Sequence, residues 1–382
     1  NTVLNQDPVS QGTSSRAGMS STIYTGNGGT QAVSTGVDMA TGDFGGLAWI
    51  KRRGGAGRSH YLHDTIRGVG EQLSSDTTGA EVFVAASLTS FDSTGFSLGN
   101  NAGVNSAETY VAWSWQTTEK TTGVTNRNKA YTTHYNSDLG FSITGFEGDA
   151  TAGHEIPHYL GKEPELVMWK NRDAVSNWYV QSPYIGDSVE GDLLALEQTG
   201  AISRTATIKT VFSDTTLSIG SGSYNGNTNN IIQYAFTSIP NVSKIGTHIG
   251  TGAVGNYVDC GFGTKKAVWV MIKNLTSSAS WLIYDGSRNN GGSFLLPNSS
   301  NAEASASGVY EIQFVDGGFV IIGANVAINA LNDQYIFMAY AEGTAFDGTK
   351  TLTNYDYATT DEVLTINEGT LMSFAEGFNA NG

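Results

Sequence analysis

The string with the sharpest chemical claim is HEIPH, from His154 to His158, which has the H-E-x-x-H form of a zinc-protease motif. On a helix, residues four apart share a face, so both imidazoles reach one metal and the Glu serves as base. Here Pro157 falls inside the required helix, where it would remove a backbone donor and clash with the preceding turn. The flanks TAG and YLG are turn and strand signals, and no third ligand stands in helical context. The expectation is therefore no metal site.

A second set is His60, His63 and Asp64. On a strand, residues 60 and 63 point to opposite faces, so shared ligation is poor geometry and a structural role is favoured. Asp64-x-x-Arg67 and Asp285-x-x-Arg288 recur as DTIRG and DGSRN, while the corresponding stretch between them reads Ser182-Pro183-Tyr184. A repeated Asp/Arg pair suits a bidentate ion pair that fixes a turn better than a ligand site. The 35 acidic residues make any glycosidase-type carboxylate pair arbitrary, and no nucleophile elbow, P-loop or dinucleotide-binding loop is present. The reading is of a non-enzyme with no catalytic residues and no cofactor.

The elements that must carry these residues are strands. Gly (48), Thr (42), Ser (37) and Asn (29) make up about 41% of the 382 residues, against 6 Pro, and good helix formers are under-used. Forty aromatic residues and a 39% apolar share allow a buried core, so disorder is excluded. The net charge of −15 repels phosphate backbones and argues against nucleic-acid binding. The one basic run, KRRGGAGR (51–58), reads as a solvated hairpin tip. Cys260 is single, so no intrachain disulfide forms, which fits assembly in a reducing cytoplasm. No apolar run approaches the roughly 20 residues of a membrane-spanning helix, and no membrane insertion is expected.

Four landmarks recur three times. An apolar strand ends in Lys (LAWIK to Lys51, LVMWK to Lys170, WVMIK to Lys273), and an aromatic strand follows (HYLHD, WYVQS, WLIYD). A strand then ends in Gly99, Gly220 or Gly323, and an alternating strand closes the set (YVAWSW, IIQYAF, YIFMAY). The Lys-to-Gly intervals are 48, 50 and 50 residues, and the Gly-to-last-aromatic intervals are 16, 16 and 17. Independent drift would not hold both. The organisation expected is an N-terminal arm (1–16), a first module (17–116), a linker or long loop (117–138), a degenerate second module (139–237), a third module (244–342) and a C-terminal arm or strand pair (343–382). In the closing strand of the first copy, Tyr110, Ala112 and Ser114 share one face and Val111, Trp113 and Trp115 the other, with both faces buried.

The pattern AVWVMIKN…SASWLIYDGSRN…FLLPNSSNAE…GFVIIGANVAIN…YIFMAYAE, with its first-copy counterpart, resembles an uncharacterised repeat module of bacteriophage tail-fibre and other virion structural proteins. The resemblance implies a phage virion protein, and the fold expected is all-β: three tandem antiparallel, lectin-like (concanavalin-type, jelly-roll) β-sandwiches. The leading functional expectation is a tail fibre or adhesin whose loops bind a host-surface glycan. Aromatic faces with amide donors suit sugars, which makes Trp178, Tyr179, Tyr184, Tyr224, Asn225, Asn227 and Asn229 the candidates. The alternative is a capsid or tail decoration protein that binds only other virion subunits. Both place the chain in a virion assembled in the host cytoplasm, as a homo-oligomer for which a trimer is the fibre precedent.

Overall fold

The computed structural model describes residues 18–343, 363–366 and 370–373, and the expected N-terminal arm (1–16) lies outside them. Among the described residues there is no α-helix; antiparallel strands are joined by turns and two short 3-10 segments. One sheet order occurs three times. In the first copy Met19–Thr25, Thr109–Thr117, Gly45–Arg52 and His60–Asp64 lie side by side in that order. The second copy places Phe141–Glu147, Asn230–Phe236, Leu166–Asn171 and Tyr179–Gln181 in the same order. The third places Ser243–Ile249, Gln334–Ala341, Ala267–Asn274 and Leu282–Asp285 likewise. Each copy also owns a three-stranded sheet, whose middle strand is the Gly-terminated one: Gly95–Leu98, Thr216–Ile219 or Gly318–Ile321.

The two-residue alternation of strands explains how this packs. In the first copy, Ala48, Ile50, Tyr110 and Ala112 join Val33, Phe96 and Leu98 of the small sheet in a private core. The second and third copies build corresponding private cores. The opposite faces of all three large sheets meet in one shared core, which contains Trp49, Trp113, Trp115, Met168, Phe236, Trp269 and Tyr340. The closing aromatics converge there: Trp115 lies 6.4 Å from Phe236 and 6.2 Å from Tyr340 between ring centroids. The three copies are therefore parts of one compact unit rather than beads on a string.

Two expectations change. The polar stretch 117–138 is not a linker or loop but a hairpin, in which Glu119–Val124 pairs with Ala130–Asn136 and extends the second large sheet. Its Thr-rich and Tyr-containing alternation suits a strand whose two faces are half solvated, a pattern the low apolar content hid. The basic run changes in part: its tip (55–58) is exposed between two strands, as expected, but Lys51 and Arg52 are buried at the strand end. Within the separate unit 345–382, Val363–Ile366 pairs antiparallel with Thr370–Ser373, which accounts for part of the expected arm or strand pair.

Candidate binding surface on the inserted hairpin

Most residues of chemically suggestive type hold the three copies together. Lys51, Lys170 and Lys273, the strand-ending lysines, are fully buried. Their ammonium groups donate to backbone carbonyls of a neighbouring copy, at Ser300, Thr78 and Thr199 respectively. The direction is cyclic: first copy to third, second to first, third to second. Trp178 and Trp281 follow the same circuit, donating their indole N–H to the carbonyls of Ser74 and Ala195. His60 holds the equivalent position in the first copy. It accepts a hydrogen bond from Trp49, and burial, with Lys51 and Arg288 nearby, keeps it well below its usual pKa.

The Asp-x-x-Arg elements belong to the same interfaces. Tyr234 donates to Asp64 at 2.6 Å and Trp113 donates to Asp285 at 2.8 Å, each from a neighbouring copy. Asp64 pairs with Arg67, Arg67 with Glu81, and Glu81 with Arg172 of the second copy. Asp285, Arg288, Glu303 and Arg53 repeat that chain between the third and first copies. Burial opposes the charged form of Asp64, but Arg67, Tyr234 and a backbone N–H outweigh it and hold the carboxyl below its ordinary range. At the remaining interface the corresponding residues are Ser182, Ile185, Ile202, Leu275 and Met338. The backbone bond is kept throughout: Glu81 to Arg172, Glu303 to Arg53, and Ile202 to Leu275. One interface is thus apolar where two are ionic, and every partner changes together, as the cost of a half-satisfied buried network requires.

HEIPH lies in strand His154–Pro157 and its following turn. His154 uses both ring nitrogens, on Asn225 and Thr125, while His158 bonds the Ser213 carbonyl and accepts from the Leu160 N–H. His63 is likewise engaged by the Glu71 carbonyl and Ser87. No group of three or more His, Cys, Asp or Glu side chains converges among the described residues.

The glycan candidates scatter. Trp178 is buried in the shared core, and Tyr224 is buried against Trp169 and bonded to the Lys209 carbonyl. Asn225 is buried as a clamp: its amide accepts from the Asp149 N–H and donates to the carbonyls of Thr151 and Gly220. Asn105 and Asn329 make the equivalent three bonds in the other copies, to Asn27, Gly29 and Gly99, and to Thr251, Ala253 and Gly323. These three candidates are corrected to structural residues, because none has a surface to offer a sugar. Half-buried Tyr179 bonds Ser223, half-buried Tyr184 bonds Glu165, and Asn229 accepts from Asn171. Asn227 is exposed. Tyr184 stands apart from the rest, so no single patch unites the set.

The structure instead assembles an aromatic surface that the repeat pattern hid, because it sits on a hairpin outside the repeated landmarks. Tyr131 and Tyr135 alternate onto one face of Ala130–Asn136. Tyr159, just beyond Pro157, stacks on Tyr135 at 5.2 Å between centroids with 21° between planes, and its hydroxyl lies 2.5 Å from that of Tyr131. Tyr135 donates to Glu119 at 2.7 Å, and that carboxylate pushes the phenol up to about 12. Burial and the Tyr159 hydroxyl push Tyr131 up to about 12 as well, so both phenols stay protonated donors. Tyr159 has φ +57°, a left-handed conformation uncommon for a bulky residue, and is exposed. The opposite face of the same hairpin, with Lys120, Thr122, Thr132 and His134, lines a separate polar groove of about 460 Å³ together with Thr65 and Ile66 of the first copy.

A family model described as a domain of unknown function, DUF7483, matches residues 15–344. The chain belongs to the DUF7483 family. The DUF7483 span holds all three repeated sheet pairs and the inserted hairpin. Neither the curated proteins nor the solved structures contain a match.

Proposed function

We propose that the protein is a phage virion structural component, a tail fibre or adhesin, and that the tyrosine surface of the inserted hairpin binds a host-surface glycan. The observation that carries the reading is the stack of Tyr135 on Tyr159, exposed and held in a left-handed backbone, with the Glu119 carboxylate beside it. Pyranose rings pack their C–H faces on aromatic rings, and phenol and carboxylate groups around them supply directional hydrogen bonds. We read each large sheet with its small sheet as a lectin-like, concanavalin-type jelly-roll sandwich, a fold that supports the glycan reading by analogy alone.

The test is a glycan array probed with the wild-type chain and with Tyr159→Gly. Wild-type signal that disappears in the variant supports the reading; no wild-type signal above a control protein overturns it. The second reading is a capsid or tail decoration protein that contacts only other virion subunits, as a homo-oligomer or trimer. It is favoured by the many partners already buried within the chain, and hundreds of copies per capsid would select it over a few at the tail.

A further inference from the structure

The threefold repetition exposes a place where one copy lacks a ring that the other two possess. Position two of the aromatic strand is Tyr61 in the first copy, Tyr179 in the second and Leu282 in the third. All three side chains point to the private core of their own copy. Each faces the residue two before the clamping asparagine: Gly103, Ser223 or Ala327. In the first copy the Tyr61 ring lies so close to Gly103 that a Cβ there would sit 2.6 Å from it. In the second, the Tyr179 hydroxyl is 2.9 Å from the Ser223 hydroxyl. In the third, Leu282 and Ala327 are walls of an open pocket of about 420 Å³, completed by Phe294, Leu296, Tyr310 and Asn301 among others.

We propose that this pocket is a binding site for a small phenol-type aromatic molecule, whose ring takes the place that the tyrosyl ring occupies in the other two copies. The walls are carbon-rich and contain two aromatic side chains, so a planar apolar ring gains dispersion contact and edge or face packing there. A cavity with such walls holds an aromatic guest in preference to loosely bound water. Asn301 supplies an amide that a ring substituent can meet, which sets the preference for a phenol over benzene. The volume falls within the range of small-ligand pockets and exceeds one phenol ring, so substituents on the ring are accommodated. The site is separate from the tyrosine surface, and its existence does not depend on glycan binding.

The probe is p-cresol, the tyrosine side chain as a free molecule, titrated into the full chain by calorimetry and by amide chemical-shift perturbation. For a ligand of this size the expected dissociation constant is on the order of 0.1–1 mM. Wild-type protein should bind one equivalent, with shifts around Leu282, Phe294 and Tyr310. Leu282→Tyr should refill the pocket from within, raise the thermal midpoint and abolish binding; Leu282→Phe is the milder filler if tyrosine does not fit. Tyr61→Leu should open the matching space in the first copy and raise the stoichiometry towards two. No saturable binding to folded wild-type protein, which would mean a pocket holding water only, overturns the proposal. Unchanged binding in a folded filler variant also overturns it.

Discussion

The Tyr234 hydroxyl donates to the Asp64 carboxylate at 2.6 Å across 170 positions of chain, and the same carboxylate pairs with Arg67. Both partners of the ion pair are fully buried, so their value lies in completeness. Removing one charge from such a pair costs about 3–5 kcal/mol, because the other is left unpaired in the interior. Asp64→Ala is therefore expected to lose stability of that order. The third interface shows how to remove the network without the penalty: Asp64→Ser, Arg67→Ile, Glu81→Ile, Arg172→Leu and Tyr234→Met together, copying Ser182, Ile185, Ile202, Leu275 and Met338, should cost less than Asp64→Ala alone. Urea denaturation midpoints of the variants check the order, and a fivefold variant less stable than the single one would refute it.

Acid should weaken the fold well before its carboxylates titrate. Burial lowers His63 to about 3 and His134, His158 and His248 to about 4, while His60 lies well below its ordinary value. An unfolded chain protonates these rings near pH 6.5. Between about pH 6.5 and 4 the unfolded state holds more protons than the folded state, so stability falls as pH falls through that window. The expected observation is a midpoint that declines steadily from pH 6.5 to 4, with net proton uptake on unfolding at pH 5. A flat profile down to pH 4.5 would contradict the neutral, buried state of these rings.

Tyr159 is predicted to matter for binding more than for folding. Glycine at this position relieves the left-handed backbone, a gain of about 1 kcal/mol, and gives up a tyrosine stack worth a similar amount. The thermal midpoint of Tyr159→Gly should stay within a few degrees of wild type while glycan signal is lost. A large drop in midpoint would mark the residue as structural.

Three glycines, each directly after the first strand of a copy's large sheet, should resist substitution for a reason unrelated to backbone angle. A Cβ on Gly26 or Gly250 would lie 2.0 Å from the carbonyl oxygen of Ser106 or Ala330, and one on Gly148 would lie 2.3 Å from that of Gly226. These contacts are with backbone, which cannot rotate away, so Gly250→Ala is expected to cost about 3 kcal/mol, the upper part of the overpacking range. Gly28→Ala, at φ +71° with open space around it, should cost only about 1 kcal/mol. Equal losses in the two variants would remove the steric argument.

The landmarks legible in the chain were those repeated at constant spacing: the Lys-terminated strand, the aromatic strand, the Gly-terminated strand and the alternating closing strand all occur where expected. The two-faced burial of Tyr110–Trp115 was legible too, because side-chain alternation is a property of any strand. The inserted hairpin was not, since Thr and Tyr in a polar stretch give no apolar period to read. Trp178, Tyr224 and Asn225 were misjudged for the converse reason: residue type suggests sugar contact equally well whether the side chain faces solvent or a core.

What the amino-acid sequence determined by itself is local and periodic: strands, turns, three equivalent copies, and a proline that denies HEIPH a helix. What the tertiary structure decided is which copy meets which. The ionic chains from Asp64 to Arg172 and from Asp285 to Arg53, and the apolar set that replaces them from Ser182 to Leu275, join residues tens to hundreds of positions apart. Strand periodicity says that a face is buried but not against what. The identity of the covering surface is settled only when three sheets close on one shared core.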